Sequence, residues 1–319
     1  MDDQYPETLL EFEEMFNTEE ACRQYLARVR WPEGFVCPRC GGREAWPSRR
    51  HLLLCRGCEY QVSVTAGTLF QDTHKPLRLW FRAMWYVTNQ KQGASALGVQ
   101  RVLGLGSYTT AWSWLHKLRR AMVRPGRDRL TGTIEVDETY LGGLREGKRG
   151  RGSGGKALVI IAAQKEGAKK IGRIRLARIP DASASSLEGF VQQVVEAGST
   201  VHTDGWDGYG GLPGLGYTHE ISVLRNKPKA AAVELLPRVH LVASLLKRWL
   251  LGTHQGAVAA PHLDYYLDEF TFRFNRRTSR SRGKLFFRLV EQAMALEPVE
   301  FKQLLGGKSL PQVGITGVN

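Results

Sequence analysis

Apolar residues recur at helical spacing along the first 125 positions. Between 7 and 28, Leu10, Phe12, Phe16, Cys22 and Leu26 stand among acids and predict one helix. From 75 to 122 the period returns. Trp80, Met84 and Val87 fall at i, i+4 and i+7 with Phe81 and Trp85 beside them, and Ala111, Leu115, Leu118 and Met122 form a second stripe. Gly93, Gly98, Gly104 and Gly106 punctuate two turns around a short segment, 99–103. Helix, short helix, turn, helix is the layout of a helix-turn-helix unit. Residues 35–68 keep neither period and are turn-rich and cysteine-bearing.

Past a linker at 125–129 the pattern changes to strands, expected at 133–140, 157–163 and 173–179. A helix at 185–196 turns Leu187, Val191, Val194 and Val195 inward; strands follow at 200–204 and 217–223, then helices at 239–251 and 263–274. This order predicts a mixed α/β sheet. Residues 307–319 lack any period. The expected organisation is a helical segment (1–30), a cysteine-bearing module (31–68), a helix-turn-helix-like module (69–125), an α/β domain (131–300) and a loose tail (301–319).

With 42% apolar residues the chain can bury a real core, which excludes wholesale disorder. Its formal net charge is +14, yet the first twenty residues hold eight acids and no Lys or Arg. The positive excess over the remainder is therefore larger still, and such a surface draws a polyanion. Nucleic acid comes first among partners. A membrane surface comes second, but no basic helix has a clean apolar face and no run of about 18 apolar residues exists. The acidic N-terminus has the wrong sign for a secretory signal, so a cytoplasmic location is expected.

Cys37-Pro-Arg-Cys40 and Cys55-Arg-Gly-Cys58 are separated by fourteen residues. Two tight turns presenting two thiolates each predict a closed, tetrahedral, structural Zn²⁺ site, with 49–54 as a hairpin strand between them. The alternatives are a redox C-x-x-C or unrelated thiols. Cys22 belongs to neither pair and reads as a core residue. In the helix at 112–122, Lys117, Arg119 and Arg120 are expected to face away from the apolar stripe, as a DNA-recognition helix would present them; the alternative is an ordinary solvated basic face.

Asp137 and Asp204 are each expected to end an apolar strand, in Ile134-Glu135-Val136-Asp137-Glu138-Thr139 and Val201-His202-Thr203-Asp204-Gly205-Trp206. Taken singly, each suits a turn or a cap. On neighbouring strands they would converge on divalent metal, and paired metals serve in-line phosphoryl displacement. Seven basic residues and no acid lie between Phe270 and Val290, among them Arg273, Arg276 and Arg277, with Phe272, Phe274, Phe286 and Phe287 interleaved as expected core. Arg145, Lys148, Arg149, Arg151 and Lys156 form a second basic cluster in a Gly-rich loop. Both clusters suit a protein that holds two DNA segments.

Longer strings add to this. The cysteine module continues into Ser63-Val64-Thr65-Ala66-Gly67-Thr68, and the first strand into Tyr140-Leu141-Gly142-Gly143. Thr203-Asp204-Gly205-Trp206 follows, then Leu245-Leu246-Lys247-Arg248 through Gly252-Thr253-His254, and His262-Leu263 through Tyr266-Leu267-Asp268-Glu269-Phe270 to Arg273-Phe274-Asn275-Arg276-Arg277. In these strings, from about residue 6 to 293, the chain resembles the IS1595 (ISXO2-like) family of bacterial transposases. The resemblance implies a zinc ribbon ahead of an RNase H-like catalytic core with a DDE-type triad holding Mg²⁺ or Mn²⁺. Asp137 and Asp204 match the first two acids. The third position, seven residues before Lys247, is His240 rather than the family's usual Glu. Imidazole favours softer ions such as Mn²⁺ over Mg²⁺. Glu234 is the alternative third ligand. Lys247, two helical turns from His240, and Arg248 are expected at DNA phosphates.

The function so implied is binding of an element's terminal inverted repeats, metal-dependent end cleavage and strand transfer into target DNA. A homo-oligomeric synaptic complex in the bacterial nucleoid goes with it. The rival from another class is a transposase-derived DNA-binding protein without strand transfer. A zinc-ribbon transcription factor fails to account for the α/β domain with its two aspartates.

Overall fold

The computed structural model describes residues 4–124, 126–142, 156–222, 235–256 and 258–307. Arg145, Lys148, Arg149, Arg151, Glu234 and the end of the tail lie outside them. The chain forms two compact units, residues 1–124 with 279–305, and 125–278 with 306–319.

In the first unit α1 (Leu9–Met15) and α2 (Glu19–Arg30) replace the single expected helix. The cause is a second N-cap: the Thr18 hydroxyl accepts from the Ala21 N–H at 3.1 Å, as Thr8 does from Glu11 at 3.2 Å. A three-stranded antiparallel sheet follows: β1 (Ala45–Pro47), β2 (Leu53–Cys55) and β3 (Gln61–Val62). Residues Arg49–His51, expected as strand, form a turn with Arg50 and His51 at positive φ. Three helices, α3 (Leu77–Asn89), α4 (Ala96–Leu103) and α5 (Tyr108–Ala121), give the expected helix-turn-helix order. Gly104 ends α4 in the left-handed conformation, which makes the tight turn possible.

The second unit is built on one five-stranded sheet. β4 (Thr133–Leu141), β5 (Ala157–Glu166) and β6 (Lys170–Ile179) form an antiparallel meander, and β7 (Thr200–Thr203) and β8 (Thr218–Ile221) add parallel to β4, in the order β6-β5-β4-β7-β8. A meander extended by two parallel strands on its first strand is the RNase H-like arrangement. The helix α6 (Ala184–Val194) makes the β6-to-β7 crossover and covers one face through Leu187, Phe190, Val191 and Val194, against Ile134, Val136 and Val201. On the opposite face α7 (Pro237–His254) and α8 (Leu263–Asn275) bury Val239, Val242, Leu246, Leu267 and Phe270 on Val159, Ile161 and Ile174. The interior strand β5 has both faces covered, so its run of six buried residues is continuous rather than alternating.

After α8 the chain returns to the first unit with α9 (Arg282–Ala295) and the short α10 (Phe301–Leu305). Sequence placed 279–300 with the α/β domain. The aromatic face of α9 is what assigns it otherwise: Phe286, fully buried, lies 5.5 Å from Phe12 and 5.6 Å from both Phe16 and Phe81, ring centre to ring centre.

Candidate metal centres and basic surface

The four cysteines converge as their spacing predicts. Their sulfurs lie within 4.8 Å of one another, with Cys37 to Cys58 at 3.7 Å and Cys40 to Cys55 at 3.5 Å. Sulfurs at about 2.3 Å from one tetrahedral ion stand roughly 3.8 Å apart, so the donor set fits Zn²⁺. Burial pushes the Cys37 thiol up, but the backbone N–H groups of Cys40 and Arg39 outweigh it and bring it down to about 7. Gly42 leaves room for the sulfurs; a Cβ there would stand 3.3 Å from both Cys40 and Cys55 Sγ. Cys22 is a buried core thiol pushed up to about 12, by burial first and then by Glu19.

In the sheet unit, Asp137 stands in the middle of β4, paired with Ile161, and not at a strand end. The strand runs on because Thr139, Tyr140 and Leu141 still pair with β5. Asp204 follows β7 directly. The parallel register pairs Glu135 with His202 as its last pair; Asp137 and Asp204 each come two residues later, and both lie near enough to Tyr209 to act on its phenol. The Asp204 Oδ1 accepts from the Trp206 N–H at 3.1 Å across a turn in which Gly205 has φ +82°. One carboxylate oxygen therefore does serve a turn, as the simplest reading of a lone Asp expects.

The helix α7 brings His240 to Asp137, with Nδ1 3.8 Å from Oδ2 and both side chains partly accessible. Two donors this close are within reach of one ion held at about 2.1 Å by each, so carboxylate and imidazole fit a shared divalent metal. Among the described residues the four cysteines alone form a group of three or more His, Cys, Asp or Glu ligand atoms within 4.8 Å of one another; Asp137, Asp204 and His240 stand more openly. Lys247 lies within electrostatic reach of Asp137. Partial burial lowers its pKa, nearby Asp137 opposes the shift and Lys156 adds to it. On the other side of Asp137, the Tyr209 hydroxyl donates to Glu138 Oε1 at 2.7 Å. Burial, then Glu138, Asp137 and Asp204, hold that phenol well above its usual range, so it remains a donor.

Glu135 and Arg238 carried no expectation. Glu135 Oε1 takes Arg238 Nη1 at 2.7 Å, and Oε2 accepts the backbone N–H groups of Arg238 and Val239 at 2.7 and 3.0 Å. An acid within the apolar strand, two residues before Asp137 and on its face, was the available signal.

Several expected DNA contacts are occupied inside the protein. Arg119 is 1% exposed, because α5 packs on α4, α9 and α10 and so buries a wider face than one stripe. Lys117 is half-buried, its pKa lowered by burial and supported by Asp72, and Arg120 is partly buried. Arg273 pairs with fully buried Glu269 at 2.8 Å. The Arg276 guanidinium lies 4.1 Å from the Phe272 ring centre. Arg277 donates to the Phe274 and Gly172 carbonyls at 2.8 and 3.4 Å and to that of Ile171, over the Phe274 ring. Arg276 and Arg277 close helix and strand ends that expose carbonyls, which sequence cannot distinguish from a phosphate-facing row. Arg248, by contrast, is exposed on α7. The interleaved Phe272, Phe274, Phe286 and Phe287 are all buried, as expected of core residues.

An RNase H-like sheet unit that follows a four-cysteine ribbon in the sequence is an arrangement that comparison with known proteins finds in transposases. Residues 129–275 match the ISXO2-like transposase domain and residues 17–61 the transposase zinc-ribbon domain. The chain is also 26% identical over 289 residues, covering 84% of itself and 94% of the relative, to an uncharacterized protein in transposable element ISH50 of Halobacterium salinarum. The chain thus matches a transposase zinc-ribbon domain and an ISXO2-like transposase domain, ribbon first. No described helix is long and apolar enough to cross a membrane.

Proposed function

We propose that the protein binds the terminal inverted repeats of its mobile element, cuts the DNA ends and joins them to target DNA, at a site made by Asp137, Asp204 and His240. The single observation that carries the reading is the approach of His240 to Asp137, because it puts the residue at the family's third position beside the first acid. Mg²⁺ or Mn²⁺ bound there would activate water or a 3′-hydroxyl and stabilise the leaving oxygen.

The chain's own contribution is positioning and charge. Asp137 and Asp204 offer carboxylate oxygens from adjacent strands of a rigid sheet, and His240 offers a nitrogen from the helix packed against it. Lys247 holds a scissile-strand phosphate near the carboxylates, and exposed Arg248 extends the basic surface along α7. Zn²⁺ in the ribbon is structural and supports end recognition by the first unit. Synapsis of two DNA ends calls for a homo-oligomer. The test is incubation of a labelled terminal-repeat duplex with Mg²⁺ or Mn²⁺. Nicking at the element end that disappears in Asp137→Ala and Asp204→Ala supports the proposal. Specific end binding by the wild-type protein without nicking in either metal favours the transposase-derived binding protein instead.

A further inference from the structure

The N-terminus of α7 starts without a side-chain cap of its own. Leu236 occupies the cap position, Pro237 has no N–H, and the N–H groups of Arg238 and Val239 have no partner within the helix. Glu135 of β4 supplies it: one carboxylate oxygen accepts both N–H groups, at 2.7 and 3.0 Å, and the other receives the Arg238 guanidinium at 2.7 Å. The same guanidinium donates onward to the carbonyls of Lys170, Gly167 and Ala168 at 3.1, 3.2 and 2.5 Å, which ties down the turn between β5 and β6. Glu135 and Arg238 are 2% and 7% exposed. The pair is buried and has its charges matched, an arrangement that is costly to disturb.

The register is the consequence. Glu135 and Asp137 lie two apart on one face of β4, and Arg238 and His240 two apart on the first turn of α7. Fixing the first partners fixes where the second ones meet, 3.8 Å apart. Sliding or rotating the start of α7 by one residue would carry the imidazole away from the carboxylate, and the apolar contacts further along the helix lack the direction to prevent it.

We propose that Glu135 and Arg238 are positioning residues for the metal site, acting through the start of α7 on His240. The proposal rests on the reading of Asp137 and His240 as metal ligands. Its test is Mn²⁺ binding to the full-length, zinc-loaded chain, followed by electron paramagnetic resonance, beside thermal unfolding and zinc content. Glu135→Gln keeps the shape and loses the charge; Arg238→Lys keeps the charge and loses the fork. Each is expected to remain folded with its zinc, yet to bind Mn²⁺ about tenfold more weakly or worse, as loss of a ligand-orienting partner does. The charge-free pair Glu135→Leu with Arg238→Met removes the cap without leaving a buried lone charge. It leaves two helix N–H groups and the carbonyls of the turn without these partners, so it is expected to unfold at a lower temperature than wild type. Still folded and zinc-loaded at the assay temperature, it is expected to bind Mn²⁺ weakly, which a purely stabilising role would not produce in a folded chain. Asp137→Ala separates the two levels. If it weakens Mn²⁺ binding while all three positioning variants bind as wild type, the positioning role is wrong. If it too leaves binding unchanged, the ligand assignment falls, and this proposal with it.

Discussion

Asp137 and His240 meet across two elements, a strand at the middle of the sheet and the first turn of the helix laid over it, with Oδ2 and Nδ1 3.8 Å apart. Lys247 lies two turns further along that helix and close enough to Asp137 for the carboxylate to act on its pKa. Lys247→Ala is therefore expected to weaken DNA binding for all sequences and to reduce the slope of log affinity against log salt by about 1. Titrations at several salt concentrations measure it, and an unchanged slope would remove Lys247 from the phosphate contacts.

Arg277 is expected to behave differently. Its guanidinium serves the carbonyls of Phe274, Gly172 and Ile171, so Arg277→Ala should cost roughly 0.5–1.5 kcal/mol of stability through the hydrogen bonds lost. Denaturant unfolding reports that loss. A variant of wild-type stability with a reduced salt slope would return Arg277 to the DNA surface, where its sequence context had put it.

Zinc should be confined to the ribbon, one ion per chain. Cys37→Ser or Cys55→Ser is expected to lose the ion and specific end binding, while the far-ultraviolet signal of the sheet unit persists. Metal analysis of protein purified without chelators checks the count. Absence of zinc there would contradict the reading of the four sulfurs.

Acid should loosen the sheet edge. His219 on β8 shares a hydrogen bond with Thr203 Oγ1 at 2.9 Å, and burial, with His202 nearby, lowers its pKa below the usual 6.5. The folded state thus takes up the proton less readily than the unfolded one. Its contribution to stability is present above about pH 6.5 and is lost as pH falls through the lower folded value. Thermal midpoints measured between pH 7.5 and 5 should fall, and fall less in His219→Gln; parallel curves would show that His219 plays no part.

Much of this was legible in the sequence because it depends on local pattern. The two C-x-x-C pairs, the apolar run of β5 and the acid after β7 each announce themselves within ten residues. What escaped depends on partners far along the chain. The break between α1 and α2 turns on one threonine hydroxyl at position 18. Arg119 looks solvated on a helical wheel, and only the return of α9 and α10 to the first unit buries it. Glu135 sits two residues before Asp137 in plain view, but its partner Arg238 comes from a helix whose start lacks any capping signal of its own.

The central claim is that His240 completes the site begun by Asp137 and Asp204, and cleavage of a terminal-repeat duplex in Mg²⁺ and in Mn²⁺ tests it most directly. The account predicts that His240→Ala loses nicking while keeping end binding. It also predicts that His240→Glu nicks with its preference moved from Mn²⁺ toward Mg²⁺, since a hard oxygen replaces a borderline nitrogen. Full nicking by His240→Ala, with none by Glu234→Ala, would contradict it.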